Sequence, residues 1–163
     1  MDCKIITLKP KIIVGIEIRT SNQDGQAIRD IPALWERFYR EGIKDKIANK
    51  QSNAVFALYT KYEGDHTKPY SLIVGCEVDK APLKLPEGCA IYKTEASSYA
   101  CIPVAGDFPI GLIKAWEQVW NSGLKRKFST DLEVYDETFD RSTGSSSGVS
   151  LYIAVEDHED SIE

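Results

Sequence analysis

The segment DLEVYDETFDRSTGSSSGVSLYIAVE, residues 131–156, reads as a strand, a loop and a returning strand. Leu132 and Val134 alternate with Glu133 and Tyr135, the period-two pattern of an extended chain whose faces differ. The run RSTGSSSG (141–148) is polar and, after Arg141, made of small residues, and VSLYIAVE (149–156) comes back as a second extended segment. Glu133 then has two readings. A lone Glu in a strand usually faces water, because an unpaired buried carboxylate is costly. It can also be a carboxylate set beside an aromatic ring for a purpose, and the four residues LEVY do not decide.

An earlier copy of the same pattern bears on the choice. In AVFALYTKYEGDHTKPYSLIVGCEV (54–78), a strand over 54–62 is followed by a turn with Gly64 and Pro69 and a strand over 70–78. Each pair of strands is preceded by an extended run and a helical pattern. Lys11–Ile18 leads to Asp30-Ile31-Pro32 and a helix through Trp35, Phe38 and Tyr39. Ser98–Val104 leads to Asp107-Phe108-Pro109 and a helix with Ile110, Ile113, Trp116, Val119 and Trp120. Each Asp is expected to cap its helix, with Pro in the first turn, where a missing N–H does no harm. WERF and WEQV occupy matching places in the two helices.

Each half therefore reads β-α-β-β, over about residues 4–80 and 89–156. DKAPLKLPEG (79–88) joins the halves and an acidic tail occupies 157–163. The expectation is one α+β domain: duplicated halves, a mainly antiparallel sheet, two principal helices and a central pocket between the halves. Aligning the halves sets Ala57-Leu58-Tyr59 against Glu133-Val134-Tyr135, and Val74–Val78 against Leu151–Val155. A position that is small and neutral in one copy need not be solvated in the other, which favours an inward Glu133. A register slip of one residue would reverse that conclusion.

The bulk composition narrows the function. Its 163 residues suit one domain, and a net charge of −5 with no basic block beyond Lys125-Arg126-Lys127 speaks against a nucleic-acid surface. No apolar run approaches the roughly 20 residues of a membrane span, and the N-terminus lacks a secretory pattern, so a cytoplasmic location is expected. Cys3, Cys76, Cys89 and Cys101 form no C-x-x-C pair, and the two histidines, His66 and His158, lie in polar stretches. No metal site, cofactor or standard catalytic signature is expected.

The duplication, the Trp-bearing helices, the strand ending Gly75-Cys76-Glu77-Val78 and the segment Asp131-Leu132-Glu133-Val134-Tyr135 resemble the GyrI-like superfamily. This is the effector-binding domain of AraC- and MerR-type multidrug regulators, including stand-alone and integron-cassette versions. The resemblance implies that Glu133 is the carboxylate of an aromatic pocket, with Tyr135 as its neighbour on the same face. It further implies pocket rings from Trp116, Trp120 and Tyr152 in the second half, and from Trp35 and Tyr59 in the first. The implied function is binding of cationic, lipophilic or aromatic drug-like molecules, with no metal or cofactor. Two alternatives stay open. One is hydrolysis of reactive electrophilic natural products, with Glu133 and Tyr135 as the acid–base pair. The other is a protein-interaction module of the topoisomerase-modulating type, with an unknown partner. The halves use the length of the chain and show no helix-turn-helix, so direct DNA binding is not expected.

Overall fold

The computed structural model describes residues 3–157, so the expected acidic tail lies, from His158 onward, outside the described residues. Four long apolar runs form the middle of one antiparallel sheet: β2 (Ile12–Thr20), β3 (Val55–Thr60), β4 (Tyr70–Val78) and β8 (Val149–Val155). β7 (Thr130–Tyr135) lies between β8 and β3. Three shorter or more exposed strands complete it: β1 (Lys4–Leu8), β5 (Ala90–Lys93) and β6 (Ser97–Pro103). The order across the sheet is β1-β6-β8-β7-β3-β4-β2-β5. Helices α1 (Gln26–Arg40), α2 (Ile43–Lys46) and α3 (Ile110–Trp120) occupy the connections. The architecture is α+β, as expected.

The duplication is written into the register. Ile16, Val74 and Ala57 lie side by side across β2, β4 and β3. Ile102, Leu151 and Glu133 do the same across β6, β8 and β7. β3 and β7 meet at the centre with Ala57 directly opposite Glu133, so the approximate two-fold axis passes between these two residues.

The edges depart from the β-α-β-β expectation. β1 precedes β2 in the chain but pairs with β6 of the other half, while β5 precedes β6 but pairs with β2. The repeat is thus β-β-α-β-β with its first strands exchanged. On a flat sheet, six strand spacings of about 4.8 Å would separate β1 from β2, or about 29 Å. Yet only residues 9–11 join them, and four peptide steps reach about 14 Å at most. Residues 94–96 impose the same limit on β5 and β6. The sheet therefore has to curl until its ends meet. At the junction the Thr94 N–H donates to the Lys11 carbonyl at 2.9 Å, and the Lys11 N–H donates to Thr94 Oγ1 at 2.8 Å.

The curl creates two cores. On the inward face, Ile13, Phe56, Leu58, Ile73 and Leu132 form a cluster that Leu8 of β1 and Tyr92 of β5 close from opposite ends of the strand order. On the outward face, Val14, Ile16, Val74, Ile102 and Leu151 pack under Leu34 and Phe38 of α1 and Ala115 and Val119 of α3.

Helix α1 begins earlier than its Asp-Ile-Pro signal suggests. Gly25, at φ 70°, turns the chain into it, and Pro32 sits inside. The missing proline N–H leaves the carbonyl of Ile28 without its helical donor, a cost lessened because Ile28 is 79% exposed and water reaches it. Asp30 is no cap; it accepts hydrogen bonds from Thr20 Oγ1 (2.9 Å) and Gln26 Nε2 (3.2 Å). Asp107 does not cap α3 with its side chain either, since no side-chain cap bond is made there.

Gly15 and Gly75 are cross-strand partners that bring the backbones of β2 and β4 unusually close. A Cβ on Gly75 would fall well inside contact distance of the Val14 carbonyl. Gly75→Ala is expected to cost about 1–3 kcal/mol of stability, as overpacking does, read as a lowered urea midpoint at unchanged slope.

Candidate functional site

Alternation along β7 places Leu132 and Val134 on the inward core and Asp131, Glu133 and Tyr135 on the outward face, beneath the helices. There Glu133 is 1% exposed. Its Oε1 accepts a hydrogen bond from the Tyr135 hydroxyl at 2.6 Å. Its Oε2 accepts two, from the Tyr59 hydroxyl at 2.8 Å and the Trp116 indole N–H at 2.7 Å. The three donors come from β7, β3 and α3, so both halves hold one carboxylate. Among the described residues no Lys, Arg or His forms an ion pair with it.

Burial pushes the Glu133 carboxyl pKa up, and the three donated hydrogen bonds pull it back without cancelling the rise. Burial also raises the hydroxyls of Tyr59 and Tyr135 well above the ordinary tyrosine value, and the neighbouring carboxylate raises them further. Both therefore stay neutral donors. A negative charge held by neutral donors in an apolar surround is stable only while every donor stays in place.

Above Glu133, between α1, α3 and the central strands, lies a cavity of about 1220 Å³. Its walls are aromatic. Tyr135 meets Trp35 edge-on at 5.0 Å and Phe139 at 5.2 Å, and Tyr59 lies 4.9 Å from Trp116 and 5.7 Å from Tyr70. At the other side His66 stacks on Trp120 at 5.6 Å, with the rings 12° from parallel. Helix α1 serves both layers through its period: Leu34 and Phe38 go to the core, while Ile28, Ile31 and Trp35 line the cavity.

Of the residues singled out from the sequence, Glu133, Tyr135, Trp116, Trp120, Trp35 and Tyr59 all line this cavity. Tyr152 does not. It pairs with Leu132, shares that residue's face and packs against the inward cluster on the far side of the sheet. That expectation is corrected: cross-strand partners point the same way, and Leu132 points away from Glu133.

Sequence reasoning missed Tyr62, Tyr70, Phe108, Phe139 and His66, which lie in turns or strands given no role. It also missed Asp131, which has the same parity as Glu133 and is fully buried. Asp131 is ion-paired with Arg126 at 2.7 Å, and it accepts hydrogen bonds from Tyr62 (2.6 Å) and the Ala154 N–H (2.8 Å). Burial raises its pKa, opposed mainly by the Arg126 charge. Among the described residues there is no cluster of His, Cys, Asp and Glu fit to hold a metal ion, and no helix long and apolar enough to cross a membrane.

Comparison with known proteins places this architecture among relatives. The sequence profile of integron-associated effector binding proteins matches residues 4–155. An integron cassette protein from the mobile metagenome of Vibrio cholerae superposes with a TM-score of 0.72 at 28% identity, over 94% of this chain and 95% of its own. The protein SAV2435, solved with tetraphenylphosphonium bound, has a TM-score of 0.76 at 19% identity, over 96% and 94% of the two chains. The C-terminal domain of EcmrR matches at 0.54 with 12% identity, over 96% and 98%. The last two likenesses concern the fold alone. No curated protein sequence matches.

The raised pKa of Glu133 carries a signed consequence. Its ordinary value is 4.5, and the folded carboxyl holds its proton to higher pH than the unfolded one. Between those values folding takes up a proton, so stability falls as pH rises through the window and is fully present below it. Glu133→Gln removes this loss. Its melting temperature is expected to exceed that of wild type at about pH 8, with the difference shrinking toward zero by about pH 4. A difference that is flat across this range would show that the carboxyl is not perturbed.

Proposed function

This chain belongs to the family of integron-associated effector binding proteins, and from that premise we propose that its cavity binds cationic, lipophilic, aromatic small molecules. One observation carries the reading: a buried carboxylate, held only by neutral donors, at the floor of an aromatic cavity. A ligand cation supplies the positive charge that the protein does not. The apolar walls gain roughly 25 cal/mol for each Å² of ligand surface removed from water. Ring faces add about 0.5–2 kcal/mol for a cation within reach. Few directed contacts are needed, so shape is read loosely and charge strictly. The binding of tetraphenylphosphonium by SAV2435, which shares the fold, supports this choice of ligand class.

A second reading draws on the 2.6 Å contact between Tyr135 and Glu133, the two groups that a hydrolase of electrophiles would use as acid and base. Burial, and after it the neighbouring carboxylate, keeps both tyrosine hydroxyls protonated, which leaves them the acid's role and Glu133 the base's. Turnover of a reactive electrophile that disappears in both Glu133→Gln and Tyr135→Phe would favour it.

Calorimetric titration with tetraphenylphosphonium and with tetraphenylborate separates charge from shape, since the two ions differ in little but sign. The cation is expected to bind, and the borate at least about a hundredfold more weakly. Glu133→Gln is expected to lose about 1–3 kcal/mol of the cation's binding energy. Equal binding of both ions, or indifference to Glu133→Gln, would overturn the proposal. In wild type the cation's affinity should rise with pH above 4.5 as the carboxyl ionises, because the ligand favours the charged form.

A further inference from the structure

The charged side chains that line the cavity are Glu36, Arg40, Arg126, Glu133 and Arg141. Three of them are matched. Arg40 is ion-paired with Glu36, one turn away on α1, and lies 3.7 Å from Glu41 as well. Arg126 is paired with the buried Asp131 at 2.7 Å. His66, at the far side, is stacked on Trp120. Two charges remain. Glu133 has only neutral donors, and Arg141, which is exposed, forms no ion pair among the described residues. The adjacent Asp140 does not serve it: that carboxylate accepts hydrogen bonds from the Ser142 N–H at 2.9 Å and the Ser142 hydroxyl at 2.7 Å.

An aromatic wall joins the two unmatched charges. Tyr135 donates to Glu133, and Trp35 meets Tyr135 edge-on at 5.0 Å. Tyr39 stacks on Trp35 at 6.0 Å, and the Arg141 guanidinium lies 5.6 Å from the centre of the Tyr39 ring. The wall climbs from a buried floor to an open rim, since Glu133 is buried and Tyr39 is exposed. Burial raises the Tyr135 hydroxyl and the Arg141 charge opposes that rise, so the field of the guanidinium reaches the group that holds Glu133. The turn that carries Arg141 is anchored to the start of α3. The Phe108 N–H donates to the Gly144 carbonyl and the Ser146 N–H to the Gly106 carbonyl, both at 2.9 Å.

Resting on the cation reading above, we infer that Arg141 is a second recognition point, which takes a carboxylate carried by the ligand, so that the cavity favours zwitterionic aromatic molecules over simple cations. The ligand cation goes to Glu133, its rings lie along the wall of Tyr135, Trp35 and Tyr39, and its carboxylate meets Arg141 at the rim. A ligand with a cation alone matches Glu133 and leaves a like charge unmatched above it. A carboxylate at the outer end removes that mismatch, and the planar guanidinium can donate two parallel hydrogen bonds to it. The gain is modest because the rim is solvated: an exposed ion pair is worth at most about fivefold in affinity. Glu133 therefore sets the requirement for a cation, and Arg141 ranks the cations. Elsewhere the field opposes a carboxylate, because the chain carries a net charge of −5. A preference for an acidic ligand thus reports a local cation.

The test uses triphenylphosphonium ions that bear a carboxybutyl, carboxyhexyl or carboxydecyl chain, each beside its primary amide. The amide keeps the phosphonium and the chain length but lacks the negative charge. Dissociation constants are read from quenching of tryptophan fluorescence near neutral pH and at low ionic strength, where an exposed pair is least screened. Wild type is expected to bind the acid about threefold more tightly than the amide at the chain length that reaches the rim. In Arg141→Gln that preference is expected to vanish or reverse, while continued binding of the amide shows that the site is intact. Parity or a preference for the amide at all three lengths in wild type overturns the inference, whatever the variant does. So does a preference for the acid that survives Arg141→Gln. A preference lost in Arg40→Gln but kept in Arg141→Gln overturns the assignment to Arg141. Parity with both probes bound defeats this inference alone, whereas failure of every amide to bind defeats the cation reading with it.

Discussion

Two three-residue connections govern this molecule. Residues 9–11 and 94–96 each join strands that lie six places apart in the sheet, and neither is long enough to cross a flat one. Curling is the only geometry that satisfies both. It turns one face inward, where Ile13, Phe56, Leu58 and Leu132 are buried without any helix over them. The other face is covered from outside by α1 and α3, and the cavity lies between them above the central strands.

At the bottom of that cavity the balance of forces is local. Taking a carboxylate out of water costs several kcal/mol, and three hydrogen bonds from neutral groups return part of it. Tyr59, Trp116 and Tyr135 each present an apolar ring to the cavity and a polar edge to Glu133. The same side chains therefore make the walls and hold the charge. Asp131, next along the strand face, repeats the pattern with Arg126 as its paired cation and with Tyr62 and Phe128 as the cation's aromatic neighbours.

How much of this could be read from the sequence follows from where the information resides. The inner strands were legible because apolar alternation, Gly and Pro are local signals; β4 falls on residues 70–78 as read. Glu133 and Tyr135 drew notice through the parity of one strand. The edge strands were not legible. β1 and β5 are five and four residues long, half exposed, and defined by partners in the opposite half. Asp30-Ile31-Pro32 misled because a cap and a proline at a helix start look the same when they lie between one and two turns inside it. Tyr152 was misplaced by its face, although its pairing with Leu132 contains the answer. Asp131 was overlooked despite sharing the parity of Glu133, since its partner Arg126 lies in a loop whose path no local pattern encodes.

The position of Glu133 against Ala57 has a further implication for assembly by duplication. In a dimer of identical chains, whatever side chain stands beside the two-fold axis stands there twice. Charges on such an axis come in even numbers, and two carboxylates placed as neighbouring cross-strand partners repel. Joining the two copies in one chain frees each to change alone. Here one copy carries the acid and the other a methyl group. A single unit of charge at the centre of a nearly symmetric vessel is a property that fusion permits and symmetric dimerisation forbids.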